Sequence, residues 1–280
     1  MVIYSHSRLS TFDKCPIKYK FKYIDELIPD YEQSIEGFLG KKIHETLEWI
    51  YNNANNKQIE LDDIIKYYIE FWNKDFNREI KIIKKDLNDE YYFNKGIKLL
   101  INYFLKHSPF IDNTIATEKK IYFSLDENKE HNFVGFIDRL VHHKDTNIFE
   151  IHDYKTGFIK SQGELDKDKQ LALYSIAIRD NFENIRDVHL FWHFLEFNEQ
   201  KTSKRTLEEL EQLKKDIIHL INKIESTKIF NPNPSNLCKW CEYRSYCPII
   251  KENPNFPDLP LNKKEILFEK ANKSDFSKKF

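Results

Sequence analysis

Residues 151–157 read Ile-His-Asp-Tyr-Lys-Thr-Gly and set an acid and an amine two positions apart. On a strand, side chains at i and i+2 emerge on one face, so Asp153 and Lys155 stand together while His152 and Tyr154 face the other way. The run Gly135-Phe-Ile-Asp-Arg139 carries Asp138 on a second expected strand, and a hairpin of the two brings Asp138 close to Asp153. Two converging carboxylates suit a hard divalent cation, Mg2+ or Mn2+, with phosphate oxygens and water in its remaining positions. The Lys155 ammonium would orient or help deprotonate an attacking water and offset charge on a phosphorane-like transition state. Gly157 lets the backbone turn sharply where a substrate would approach. Asp-x-Lys is common, and alone it describes an ion pair on a solvated strand edge. Its accompaniment adds weight. His44 sits on a helix whose other face is apolar, and imidazole is a reasonable further ligand for Mn2+. Gln170 and Tyr174 fall one helical turn apart, as residues facing a common site do.

The cysteines form a second constellation. Cys238, Cys241 and Cys247 cluster as C-x2-C-x5-C, and Cys15 lies more than two hundred residues earlier. Four thiolates would clamp the two chain ends together. Tetrahedral S4 ligation suits Zn2+ and an iron–sulfur cluster alike, and spacing alone leaves both open. A disulfide framework is a poor match for four cysteines in a chain of 280 residues.

The elements that must position these residues follow from periodicity. Segment 37–53 is an amphipathic helix with Ile43, Leu47 and Ile50 on one face, and residues 61–80 and 89–107 form two more. Residues 17–23 alternate apolar and basic and fit strand or helix. From residue 114, three short β-branched and aromatic runs with polar breaks at 126–132 and 143–147 predict a three-stranded meander. A helix over about 167–180, a strand over 188–197 and a strongly periodic helix over 206–226 follow. The sum is an α/β chain with a mostly helical first third.

Composition bounds the function. A hydrophobic content of 40% is ample for a core, and Lys+Arg 44 against Asp+Glu 45 gives a net charge of -1. Nucleic-acid contact therefore depends on a local basic patch, with Lys41, Lys42, Arg139 and Lys160 as candidates near the motifs. The first residues lack a signal-peptide pattern, and no run approaches the roughly 18 apolar residues of a membrane span. The expectation is a soluble, cytoplasmic protein with no membrane partner. No G-x-x-x-x-G-K-[ST] motif occurs, so the chain is not itself an ATP-driven helicase.

Together these motifs resemble those of the PD-(D/E)xK nuclease superfamily, specifically its RecB-like branch with an iron–sulfur appendage. That branch includes the AddB nuclease domain and the CRISPR-associated adaptation exonuclease. SRLSTFDKCPIKYKFKY resembles its opening cysteine motif, GKKIHETLE its histidine motif, GFIDRL and IHDYKTG its acidic motifs, and QLALY its Q-x-x-x-Y motif. The order and spacing agree from about residue 5 to 248. Ile137 stands where the superfamily name has proline, a departure the branch tolerates.

The resemblance implies a restriction-endonuclease-like core with a small mixed sheet flanked by helices, and an iron–sulfur module joining the chain ends. It implies one nuclease domain over 1–250, with a helical insertion at about 50–110 and a cluster-binding segment at 234–248, and a peripheral tail at 251–280. It assigns the metal to His44, Asp138, Asp153 and the main-chain carbonyl of Tyr154, with Glu118 a lesser candidate. Lys155 becomes the catalytic lysine, supported by Gln170 and Tyr174, and Cys15, Cys238, Cys241 and Cys247 hold a structural 4Fe-4S cluster. The implied activity is a metal-dependent DNA exonuclease on single-stranded DNA or overhangs, in repair, recombination or CRISPR adaptation. It would act alone or with a helicase or CRISPR adaptation proteins. The rival is a non-catalytic DNA-end-binding or adaptor subunit, which the intact His44, Asp138, Asp153 and Lys155 set disfavours.

Overall fold

The computed structural model describes residues 2–254 and 256. In chain order the elements are β1 (Ile3–Tyr4), α1 (His6–Lys14), α2 (Pro16–Tyr23), α3 (Ile35–Asn53), α4 (Leu61–Asp75), α5 (Asp89–His107), β2 (Thr114–Ser124), β3 (Asn132–His143), β4 (Ile148–Lys155), α6 (Gln162–Leu165), α7 (Gln170–Asn181), β5 (Asp187–Phe194), β6 (Glu199–Ser203), α8 (Leu207–Ser226) and α9 (Pro248–Glu252). They form two compact units, one of residues 1–10 and 33–228, the other of 11–32 and 229 onward. The tail expected over 251–280 lies, from 257 on, outside the described residues. Among the described residues no helix is long and apolar enough to cross a membrane.

The larger unit is built on a mixed sheet in the order β1-β3-β4-β5-β6, with β2 also paired to β3. The β2–β3–β4 meander is antiparallel, as alternation and polar breaks predict. Strands β4 and β5 are parallel, joined through α6 and α7. Helix α7 is buried from Leu171 to Ile178, which matches a sequence apolar nearly all round. Ser34 caps α3 by accepting from the Gly37 N–H. The apolar stripe of α3 (Ile35, Phe38, Leu39, Ile43, Leu47, Ile50) packs with Ile64, Tyr68 and Trp72 of α4 and Leu99, Leu100 and Tyr103 of α5. Tyr154 of β4 belongs to the same cluster, so the core grips the strand that carries the Asp-x-Lys pair.

Several local outcomes differ from the periodicity. Residues 17–23 are helical, with Pro16 at the first position, where a missing N–H costs nothing. The helix expected over 61–80 stops at Asp75, because Phe76 is extended. The strand expected over 188–197 ends at Phe194. A short 3-10 turn follows, and Asn198 at φ 50 reverses the chain into β6, whose Glu-Gln-Lys-Thr-Ser sequence has no apolar alternation.

The smaller unit packs Phe12 edge-on to Tyr19 and Phe230. Phe21 sits against Tyr243 and Tyr246. Lys18 pairs with Glu242 at 2.6 Å, and Asp30 accepts from the Ser245 N–H at 2.9 Å.

Candidate active site

The β3–β4 ladder runs from His143↔Ile148 to Arg139↔His152 and stops there. Continuing that register sets Asp138 opposite Asp153, on the face away from Arg139 and His152. Where the strands part, side chains take over the pairing. The Tyr154 N–H donates to Asp138 Oδ2 at 2.8 Å. His44 Nε2 lies 2.9 Å from the Tyr154 carbonyl oxygen and donates to it. The other ring nitrogen, Nδ1, then faces Asp138 Oδ2 at 3.5 Å and Glu118 Oε1 at 3.6 Å.

His44, Glu118 and Asp138 thus converge, each offering a ligand atom within 4.8 Å of the others. Glu118 has φ 42, and the β2–β3 pairing passes from Thr117 to Lys119 without it. A non-glycine residue in this region costs on the order of 1–3 kcal/mol, and such strain concentrates at working sites. Continuing the β2–β3 register sets Glu118 opposite Asp138, so alternation places the two acids on one face. An acid on the strand paired to the Asp138 strand was the available signal.

Asp153 is 2% exposed, and its Oδ1 accepts from Lys155 Nζ at 2.9 Å. Nζ is also 2.7 Å from Oδ2, but off the hydrogen-bonding direction, and Oδ2 has no other partner among the described residues. Asp153 therefore stands beside the converged trio rather than within it. Lys155 reaches Gln170 Oε1 at 3.2 Å. Tyr174 is buried, with its hydroxyl against the Gln170 side chain and the Phe136 main chain. Its ring fills the space above Gly135, where an added Cβ would lie 2.3 Å from a ring carbon. Gln170 thus orients the lysine, and Tyr174 backs Gln170.

Electrostatics reports a surplus of negative charge. Burial pushes the Asp138 carboxyl up to about 7 and Asp153 adds to the rise, against the lowering effect of His44. Burial pulls His44 down, but Asp138, Glu118 and Asp153 outweigh it and hold the imidazole at about 9. For Lys155, too, burial acts downward and the carboxylates of Asp153 and Asp138 prevail, so its pKa is raised. Carboxylate oxygens, an imidazole nitrogen and an orphaned carboxylate oxygen fit a hard divalent cation.

Two expected phosphate contacts are overturned. Lys42 has a fully buried side chain that pairs with Asp75 and, at 2.6 Å, with Glu45. It is two residues from His44, and that step carries it about 200° around the helix. Arg139 is buried: it pairs with Asp112, lies 4.1 Å from the Tyr51 ring centroid and donates from Nε to the Tyr154 hydroxyl at 2.9 Å. Being next to Asp138 on a strand, it faces away from the site. Lys41 is exposed near Glu45, and Lys160 pairs with Asp168 at 2.6 Å.

In the smaller unit all four cysteines, Cys15, Cys238, Cys241 and Cys247, line one cavity with Lys18 and Arg244. The Asn233 N–H points at Cys15 Sγ (3.5 Å) and the Ser235 N–H at Cys238 Sγ (3.4 Å). Burial pushes the Cys241 thiol up to about 11.

A strand-borne Asp-x-Lys pair, a second acid at the end of its ladder and a helix-borne histidine, carried on a mixed sheet flanked by helices, are the arrangement of a restriction-endonuclease-like core. The profile of the PD-(D/E)XK nuclease superfamily matches residues 3–248, and the chain belongs to that superfamily. Among solved structures it is similar to a protein of Eubacterium rectale provisionally named an exonuclease, at 10% identity and TM-score 0.46, covering 94% of this chain and 92% of that one. It is also similar to SSO0001, at 15% identity and TM-score 0.33, covering 75% and 93% respectively. No curated protein matches the chain.

Proposed function

We propose that this nuclease is a metal-dependent DNA exonuclease of the RecB-like branch, acting on single-stranded DNA or overhangs, with a structural 4Fe-4S cluster in its smaller unit. The observation that carries the reading is the convergence of His44, Glu118 and Asp138 beside the Asp153–Lys155 pair, at the point where β3 and β4 part. These residues, with Asp153 and the Tyr154 carbonyl at the margin, would hold Mg2+ or Mn2+. A bound divalent ion supplies a Lewis acid for a phosphoryl oxygen and acidifies water. Lys155, fixed between Asp153 and Gln170, donates hydrogen bonds to the attacking water and to the phosphoryl oxygens as negative charge gathers on them. Tyr154 holds Asp138 by its N–H and His44 by its carbonyl, so the main chain of one residue sets the angle between two ligands.

For the cysteines, support comes from all four lining one cavity, with main-chain N–H groups aimed at two of the sulfurs. The cluster assignment follows the likeness of Cys15 and the C-x2-C-x5-C run to the branch's cysteine motifs. The setting would be repair, recombination or CRISPR adaptation, with a helicase or CRISPR adaptation proteins as partners.

The test is anaerobic purification, a visible spectrum, and incubation of end-labelled single-stranded DNA with Mn2+, alongside Asp153→Ala and Lys155→Ala. Brown protein whose cleavage is lost in both variants is the expected result. Brown protein with no metal-dependent cleavage of any DNA form refutes the enzyme and favours a DNA-end-binding adaptor.

A further inference from the structure

Strands β2 and β3 carry an apolar patch that folding does not require. Along this stretch Ile121, Phe123, Phe133, Gly135 and Ile137 are buried, so the alternate positions face outward. Outward positions of an antiparallel sheet are ordinarily polar. Here they hold Tyr122, 56% exposed, and Phe136, 49% exposed, with Val134 registered opposite Tyr122. Lys120 is registered opposite Phe136, and its ammonium sits between the two rings, 4.9 Å from the Tyr122 centroid and 5.8 Å from that of Phe136.

The patch is continuous with the candidate active site. Phe136 is two residues from Asp138 on β3, and Lys120 is two residues from Glu118 on β2. Two strand residues span about 7 Å, so the nearest ring and the nearest ligand share a side of β3 within one such step. Exposed rings offer π faces to any base, but a base inside a duplex already spends both faces on its neighbours. The lysine between the rings supplies a cation for a phosphate. A net charge of -1 gives no overall attraction for DNA, so a local device of this kind is what an anionic strand would need.

We infer that Tyr122, Lys120 and Phe136 form a subsite for unpaired nucleotides of the DNA strand entering at Asp138, with bases on the two rings and a phosphate on Lys120. This deepens the exonuclease reading and rests on it.

Binding and chemistry are measured separately on the full chain. Anisotropy of fluorescein-labelled oligo(dT), and of a blunt duplex of equal length, is read in EDTA. Stacking contributes enough per base that Tyr122→Ala with Phe136→Ala should weaken oligo(dT) binding about tenfold or more. Duplex affinity should move less than about twofold, because paired bases do not use the rings. Exchanging the rings, Tyr122→Phe with Phe136→Tyr, should restore wild-type affinity, and Lys120→Ala should make the salt dependence shallower by about 0.7. At saturating oligo(dT) with Mn2+ the double variant should cleave at the wild-type kcat, its loss confined to KM. Wild-type protein that does not bind oligo(dT), or a double alanine variant that binds it as wild type or loses both DNA forms equally, overturns the subsite. If the protein hydrolyses no DNA form while the double variant still loses oligo(dT), the nuclease reading fails and the binding surface stands.

Discussion

Arg139 separates two accounts of this sheet, and its removal is the most informative perturbation. Adjacent to Asp138 in sequence, it invites assignment to a DNA phosphate; in the fold it is a buried strut. Its Nε donates to the Tyr154 hydroxyl and its Nη2 lies 2.9 Å from His152 Nδ1. Its plane lies over Tyr51, and Nη1 pairs with Asp112, whose side chain is 33% exposed. Solvent can reach Asp112 after Arg139→Ala, but the Tyr154 hydroxyl and His152 lose a donor inside the core and the Tyr51 ring faces a void. Removing one partner of a buried charge network costs about 3–5 kcal/mol, a large part of the roughly 5–15 kcal/mol that holds a domain folded. With a urea m-value of roughly 2–3 kcal/mol per M, the midpoint should fall by about 1.5 M. Arg139→Lys should recover little, since an ammonium cannot reproduce the fork or the ring stacking. Under conditions where the variant remains folded, the slope of log affinity for DNA against log salt should equal the wild-type slope. A phosphate contact would instead reduce it by about 0.7–0.9. A wild-type urea midpoint with a shallower salt slope would refute the strut and put Arg139 on the DNA.

Three further outcomes follow from the same geometry. Gly135→Ala pushes a methyl to 2.3 Å from a carbon of the buried Tyr174 ring and should cost about 1–3 kcal/mol in a thermal or urea melt. Gln170→Ala frees Lys155 from its orienting amide and should lower kcat on DNA by about 10–100-fold with little change in KM or melting temperature. Burial, with Lys106 and Arg139 nearby, lowers His107 to about 4, below the 6.5 of an unfolded imidazole. Between those values the unfolded chain binds more protons, so His107 contributes a loss of stability as pH falls from 6.5 towards 4. His107→Phe should flatten that acid limb in melts recorded across the window.

The sequence reveals elements whose side chains repeat and conceals those fixed by partners. Helices α3, α5 and α8 and the β2–β4 meander are legible because apolar residues recur at the periods of helix and strand. Strand β6 is hidden because its five residues are polar apart from pairing, and β1 because two residues acquire strand geometry only against Asn132 and Phe133. The Asp138, Asp153 and Lys155 grouping is legible because i, i+2 alternation and one hairpin are enough to assemble it. Glu118 is less so, since its place opposite Asp138 depends on the β2–β3 register across a long turn rather than on i, i+2 alternation. Lys42 and Arg139 mislead for the opposite reason: closeness in sequence to a site residue means, on a strand or helix, a different face.

The position of the site follows from the interrupted ladder. Had β3 and β4 remained paired beyond Arg139↔His152, the N–H and carbonyl of Tyr154 would be spent on strand bonds, and neither could hold a ligand side chain. Because pairing stops there, both groups are free inside a protein where an unpaired backbone group is costly, and Asp138 and His44 satisfy them. The residue pair that closes the ladder also anchors it: Arg139 and His152 touch on the reverse face, and Arg139 binds the Tyr154 hydroxyl. The reverse face therefore fixes the place where the strands diverge, and the obverse face uses the divergence to collect carboxylates. Substitutions behind β4 should accordingly alter catalysis through the Tyr154 peptide, whereas those on the outward face of β2 should alter which DNA is held.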